Sequence, residues 1–348
     1  MKLRLTAILL VINILCCTLS ACAKAPQKEK YSAYSLDYFD TATTIVGYAY
    51  SQEEFDKVAQ EILMQLGEYH KLYSIYHRFE GMENLCTINE LVGGQHRTVK
   101  VDPRIIDMLL FAKQMYEVTD GMTNVAMGSV LSLWHDYRSL GRDDPTVAAL
   151  PPTEALQEAA LHTDFSNLVI DEQAGTVTLT DPEMTLDVGA VAKGYAIERI
   201  ALALEEQGVT GYVINVGGNV RTIGAKADGT PWNVGLEDSE NGDYLCYLQL
   251  NGQSVVTSGS YQRFYIVDGQ RYHHIIHPDT LMPSEGYVSV SVVCVDSGLG
   301  DALSTALFCM TPEQGLTLVE SLEGVEALWV HMDGTQTTSS GWSAYLKP

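Results

Sequence analysis

Basic residues are scarce in this chain. Among 348 residues, 21 Lys and Arg face 44 Asp and Glu, a formal charge of −23. Such a field repels phosphate backbones and opposes affinity gained by counterion release, which argues against nucleic acid as a partner. Any anionic ligand would need a local site or a metal. No apolar run reaches the roughly 20 residues of a membrane-spanning helix. The 7 cysteines form no Cys-x-x-Cys pair and no zinc spacing. Cys294 and Cys309 sit in apolar runs, where a buried free thiol is expected, so no disulfide framework is indicated. Also missing are Gly-x-x-x-x-Gly-Lys, Gly-x-Gly-x-x-Gly, Gly-x-Ser-x-Gly and His-Glu-x-x-His, which removes support for a Walker loop, a Rossmann site, a serine hydrolase elbow and a zincin helix.

What is present is ordinary globular material, 46% hydrophobic and 19% charged, long enough for one large domain or two smaller ones. The first residues read as a targeting device. Lys2 and Arg4 precede an apolar run from Leu5 to Leu19, and Leu19-Ser20-Ala21-Cys22 resembles a bacterial lipobox. Residues 1–21 are therefore expected to be a signal peptide, with Cys22 as the lipidated residue of a protein anchored to the outer surface of a bacterial membrane. Residues 22–36 read as lipid attachment and tether, and residues 37–348 as the functional body.

Within that body, strand-like and helix-like stretches alternate irregularly, which argues for an α+β fold rather than a doubly wound sheet. A single domain is expected, which two intertwined subdomains could build. Apolar spacing predicts helices over 53–73, 103–119, 192–207 and 300–310, and strands near 43–50, 168–170, 176–180, 212–216, 287–295 and 325–330. Further strands are expected at 232–236, 245–250, 254–257 and 264–267. The stretch 141–152 reads as a loop or subdomain seam.

Four constellations place polar or glycine residues at the end of an apolar element. Leu186 to Tyr195 reads as a tight strand-to-helix turn, where small residues let a backbone approach closely and a helix N-terminus can hold an anion. Asn215 to Asn219 is a double-glycine turn, equally readable as a plain connection. In Tyr272 to Pro278, a strand would point His273 and His274 to opposite faces, which disfavours a three-His metal site but leaves one imidazole free for acid-base work. Asp301 and Thr305 are four apart on a helix, offering two oxygen donors to a hard cation, although an Asp cap with a mid-helix Thr is the commoner meaning of that pattern. Trp134, His135 and Tyr137 form an aromatic cluster whose default is core packing.

The order of these pieces resembles the ApbE family, flavin transferases that move FMN from FAD onto a Thr or Ser hydroxyl of another protein. The resemblance runs through Phe39-Asp40-Thr41, Tyr73 to Tyr76, Ile88-Asn89, Thr119 to Gly121, Asp187 to Tyr195, Asn215 to Asn219, Thr257 to Gly259, His274 to Ile276 and Asp301 to Thr305. It implies an ApbE-like domain and magnesium (Mg²⁺) ligands at Asp301, Thr305 and the carbonyl of Ala190. FAD, as substrate, would be held by Phe39, Tyr76, Thr123, Asn124, Val125, Asp187, Lys193 and Ile275. His274 would serve in proton transfer or phosphate orientation. The implied partner is an extracytoplasmic flavoprotein, either a membrane redox complex subunit or a secreted FMN-binding protein. FAD hydrolysis to FMN and AMP, and a flavin-binding lipoprotein without turnover, are the alternatives. The chain departs from the family pattern at Asn124 and Val125, where relatives carry a carboxylate nearby, at His277 in place of Asp, and at Leu281 in place of Gly.

Overall fold

The computed structural model describes residues 27–90, 98–238 and 242–348; the expected signal peptide and Cys22 lie outside them. The chain opens with a β-hairpin, β1 (Glu29–Tyr38) and β2 (Thr41–Ala49), followed by α1 (Gln52–Tyr73) and α2 (Leu85–Glu90). Next come β3 (Thr98–Lys100), α3 (Pro103–Val118), α4 (Gly128–Asp143), α5 (Thr153–Ala160), β4 (Leu168–Asp171), β5 (Thr176–Leu179) and α6 (Ala192–Glu206). Strands β6 (Tyr212–Val216), β7 (Asn219–Ile223), β8 (Trp232–Glu237), β9 (Tyr244–Leu250), β10 (Ser254–Gly259), β11 (Phe264–Val267), β12 (Gln270–His273) and β13 (Tyr287–Cys294) follow. The last elements are α7 (Ser297–Cys309), α8 (Pro312–Ser321), β14 (Glu326–His331) and β15 (Gln336–Thr338).

Eight strands form one antiparallel sheet in the order β1-β2-β6-β7-β10-β13-β14-β15. The expected α+β class is what forms. Side-chain alternation along the strands builds two different faces. On β6, Ile214 joins Ile45 and the helical residues Phe55, Ile62, Ile197 and Ile200 in one core, while its neighbour Val213 joins Trp232, Leu248 and Trp342 in another. Likewise Val292 of β13 packs with Leu307 and Phe308 of α7, and Val293 packs with Leu328 and the hairpin side. The sheet is thus covered by helices on one face and by the β8–β9 hairpin on the other. A smaller cluster joins α4, α5 and the β11–β12 hairpin through Val130, Trp134, Leu156, Tyr265 and Ile276.

Three expectations need correction. The tether expected to extend to residue 36 gives way at Glu29 to β1, which pairs with β2 from Glu29↔Ala49 to Tyr38↔Thr41. Most of its polar residues face solvent, as an edge strand allows, which is why it reads as a tether. The seam expected at 141–152 begins inside α4, where Gly141 has no room for a Cβ beside Tyr265 and Ala148. Helix α7 begins at Ser297 rather than Gly300, because Asp296 caps it, its Oδ1 accepting from Gly298 and Leu299 N–H at 2.7 and 3.1 Å. Asp301 is therefore not a cap but a second-turn residue, free to face another element.

That element is α6. A Cβ on Gly194 would lie 2.2 Å from the Ser297 carbonyl oxygen, so glycine is what lets the two helices cross so closely. One turn on, Glu198 accepts the Ser297 N–H at 2.8 Å and pairs in two-pronged fashion with Arg221 of β7, at 3.0 and 3.1 Å. Both side chains are almost wholly buried, 3% and 2% exposed. Removing one partner of a buried pair leaves an uncompensated charge, at a cost of about 3–5 kcal/mol. Arg221→Met is accordingly expected to lower the unfolding free energy by that amount in urea titration; a loss below about 1 kcal/mol would put the pair on a level with an exposed one.

Candidate active site

A cavity of about 640 Å³ opens where the β1–β2 turn, the end of α1, α4, the turn before α6, the end of β10 and α7 meet. The turn before α6 is built by Asp187. Its backbone N–H donates to the Val125 carbonyl at 2.8 Å, and its Oδ1 accepts the Gly189 N–H at 2.8 Å, folding the chain back on itself. Val191, at the start of α6, brings no side-chain cap. The carboxylate of Asp301 supplies one from α7 instead, Oδ2 accepting the Gly194 N–H at 2.8 Å. An anion at that position also meets the positive end of the α6 dipole.

Lys193 Nζ lies 3.4 Å from Asp301 Oδ1 and 3.4 Å from the Gly189 carbonyl. Even so, burial holds the Asp301 carboxyl above its ordinary range, against the opposing pull of Lys193, Gly194 N–H and Asn219. The site therefore offers a carboxylate short of positive charge. Thr305 Oγ1 is held only loosely, 3.4 Å from the Asp301 carbonyl and 3.4 Å from Ser258 Oγ, and Ala190 lines the same cavity. Among the described residues no group of three or more His, Cys, Asp and Glu could hold a metal. One carboxylate, one hydroxyl and one backbone carbonyl instead fit a hard cation that completes its shell with water and substrate phosphate, which is the habit of magnesium.

The three histidines of the 272–278 segment separate, although β12 ends at His273 and the strand that would have set His277 on the His273 face does not continue. His273 turns into the protein, its Nε2 2.7 Å from the Ser284 carbonyl and its Nδ1 accepting the Ile275 N–H. His274 faces the cavity, and its Nδ1 is buried without a hydrogen-bond partner. His277 lies apart from the cavity and accepts the Asp279 N–H in its own loop. Burial first, then the neighbouring Arg263 and Arg138, push the His274 pKa down to about 3. Its imidazole is neutral at pH 7, an acceptor with an open lone pair.

Of the residues expected around a flavin nucleotide, Phe39, Tyr76, Thr123, Asn124, Asp187, Lys193 and Ile275 line the cavity. Val125 does not: it is 1% exposed within the main core, and only its carbonyl serves the site, by anchoring Asp187. Asn124 has its side chain committed, Nδ2 donating to the Thr163 carbonyl and Oδ1 accepting from Ala126 N–H, so it stabilises its own turn. Thr123 Oγ1 likewise donates to the Ala302 carbonyl at 2.8 Å, tying that turn to α7.

The structure adds residues that the sequence reading left in the core or unnamed. His135 of α4 lines the cavity, with Nδ1 2.8 Å from the Tyr76 hydroxyl and Nε2 3.9 Å from Asp187 Oδ2. Burial and then Asp187 hold the Tyr76 hydroxyl up at about 12, so it remains protonated. Arg142, Gln262, Arg263 and Asn219 also line the cavity. The spacing of Leu131, His135, Arg138 and Arg142 places all four on one face of α4, a pattern that could have been found had the helix been recognised.

The pH dependence of stability tests the environment of His274. A native-state pKa near 3 against about 6.5 unfolded means that the unfolded chain takes up the proton first, so stability is full above pH 6.5 and falls as pH drops toward 3. His274→Gln removes that contribution while leaving those of His70, His135 and His273. Between pH 7 and pH 5 the variant should lose less stability than the parent by at most about 2 kcal/mol in urea titrations; equal slopes would mean that His274 titrates as if exposed.

Comparison with known proteins agrees with this arrangement. The model of the ApbE family matches residues 39–329. A FAD:protein FMN transferase of Klebsiella pneumoniae is 32% identical over 280 residues, covering 75% of this chain and 84% of the relative. One from Treponema pallidum is 34% identical over 275 residues, covering 74% and 73%. The crystal structure of the ApbE protein of Thermotoga maritima superposes with a TM-score of 0.80 at 29% identity, covering 92% of this chain and all of that one. The flavin transferase ApbE of Vibrio cholerae shares the fold with a TM-score of 0.76 at 24% identity, over 92% of this chain. The cavity with its buried Asp301, its neutral His274 and its Asp187 turn is thus built on a fold and sequence order shared with these proteins, and the chain belongs to the ApbE family.

Proposed function

We propose that this chain is a FAD:protein FMN transferase that moves FMN from FAD to a Thr or Ser hydroxyl of an extracytoplasmic flavoprotein, releasing AMP. The observation that carries the reading is the convergence of Asp301, Thr305, Lys193 and His274 on one cavity in a protein of charge −23. In the reaction the acceptor oxygen bonds to the FMN phosphorus, the phosphorus–oxygen bond to AMP breaks, AMP departs with the bonding pair, and the hydroxyl proton must be taken up.

Asp301, Thr305 and the Ala190 carbonyl would hold Mg²⁺, which when bound offsets the charge of the donor's diphosphate. Lys193 adds a second positive charge beside the same carboxylate. His274 presents a neutral imidazole, the protonation state in which it can accept the hydroxyl proton or a phosphate-bound hydrogen. Its cationic neighbours weaken it as a base in the free protein, and an anionic substrate placed among them would raise its affinity for a proton. Phe39, Ile275 and Tyr76 offer the apolar walls for the flat rings of the donor. Lipid attachment at Cys22 would hold the enzyme on the outer face of a membrane, near its acceptor.

The test uses protein lacking residues 1–22, mixed with FAD, Mg²⁺ and a flavoprotein acceptor carrying an accessible Thr or Ser, read by intact mass and in-gel flavin fluorescence. One FMN is expected on the acceptor, with loss of 100-fold or more in rate for Asp301→Ala, on the order of the effect of removing a preorganised electrostatic group, and on chelation. AMP release without flavin on the acceptor would replace transfer by hydrolysis. Retention of FAD with neither product would reduce the chain to a flavin-binding protein.

A further inference from the structure

Most of the described arginines are paired with an acid or lie over an aromatic ring, and the three that do neither act on one another. Arg78 pairs with Glu90, Arg104 with Asp102 and Glu68, and Arg221 with Glu198 and Glu205. Arg199 and Arg271 lie over the rings of Tyr195 and Phe264. Among the described residues, Arg138, Arg142 and Arg263 have no ion pair, although the chain carries more than twice as many acids as bases. Arg142 and Arg263 line the cavity, and Arg138 sits on the α4 face between His135 and Arg142.

Holding guanidinium groups together without a counter-charge is unfavourable. Arg138 is partly buried, and burial first, then Arg263, work against its charge. Asp187, the cavity acid whose charge acts on Arg138, has one carboxylate oxygen committed to the Gly189 N–H. The charge of these arginines is felt inside the cavity: Arg138 and Arg263 act on Tyr76, on His135 and, first among charged groups, on His274. Arg142 and Arg263 line the cavity, and a planar guanidinium fork suits the oxygens of a phosphate group, which it can meet in bidentate fashion.

We infer that Arg138, Arg142 and Arg263 form an anion subsite on the α4 side of the cavity that takes a phosphate group of the bound nucleotide, across from Lys193 and Asp301. The inference rests on the flavin-nucleotide reading above and adds a second cationic wall to it. Two sources share this chemistry, the FMN phosphate and the AMP phosphate of the donor, and separate ligands distinguish them.

The experiment is isothermal titration of the parent, Arg263→Gln and Arg138→Gln with FAD, FMN, AMP and riboflavin at several salt concentrations. Arg263 is exposed, so its variant is expected to fold as the parent does. Each substitution should weaken FAD by about 10-fold, the equivalent of one charge-assisted hydrogen bond, while riboflavin, which has no phosphate, changes less than 2-fold. The salt dependence of FAD binding should become shallower. A matching loss for FMN alone, or for AMP alone, assigns the phosphate. Unchanged FAD, FMN and AMP affinities would overturn the subsite, and a rise confined to the acceptor's KM would reassign the arginines to docking an acidic acceptor. A parent that binds no flavin nucleotide would instead remove the reading on which the subsite rests.

Discussion

The close crossing of α6 and α7 is the constraint on which the site depends. It exists because residue 194 is glycine, and it is fixed by a charge network rather than by apolar contact alone. Glu198 on α6 accepts the Ser297 N–H and grips Arg221 of β7, while Ser297 Oγ donates to Asn219 Oδ1 at 3.0 Å. Three elements are thereby locked to one another. The consequence at the surface of the cavity is that Asp301 is delivered to the open N-terminus of α6, where it does the work of a missing cap. The helix crossing and the shape of the cavity share this carboxylate, so a change that loosened the crossing would disturb both.

Electrostatics around the cavity runs opposite to that of the molecule. A strongly acidic protein offers no general attraction to a dinucleotide, so affinity must come from a few groups with little competition around them. Lys193 lies on the α6 side and the arginines on the α4 side, with His274 between these influences. Burial first, and then the same cations, keep the His274 imidazole unprotonated in the free protein. An anion bound beside Arg138 and Arg263 would oppose their share of that suppression, while burial would keep its own.

Much of this was legible in the sequence where one residue type has one job. The apolar spacing of 53–73 and 192–207 marked two long helices, and His273 and His274 do part as expected, although β12 ends at His273 and a bend rather than strand alternation separates them. Asp301 and Thr305 were found by helical spacing, although only the cap at Asp296 shows that Asp301 is not itself a cap. Other features were hidden because the local signal served a different end. Strand β1 carries the polar residues of an edge and so resembles a linker. Helix α4 has glycine near both ends, and its polar stripe from His135 to Arg142 runs along a cavity rim, so no clean apolar face marks it as a helix. Val125 falls beside the site in sequence, but its side chain points into the core and only its carbonyl participates.

Backbone strain shows where the fold is being overruled by the site. The β1–β2 hairpin turns on two residues, Phe39 and Asp40, with φ of 54° and 52°. Both lie in the left-handed region, which a two-residue hairpin of this kind ordinarily fills with Asn and Gly. A bulky aromatic there costs on the order of 1–2 kcal/mol, and it is held by its surroundings: the Phe39 N–H donates to His70 Nδ1 at 3.1 Å, and the two rings meet edge to face at 5.7 Å. The result is an aromatic side chain fixed on the cavity wall by a turn too short to let it swing away. Leu281, with φ of 61°, is a second case. It keeps the left-handed geometry although its side chain disfavours it, because its carbonyl accepts the Trp134 Nε1–H and its N–H donates to the His277 carbonyl. Through Trp134 that bend couples the segment following His274 to α4, so two parts of the cavity wall are joined through a strained residue.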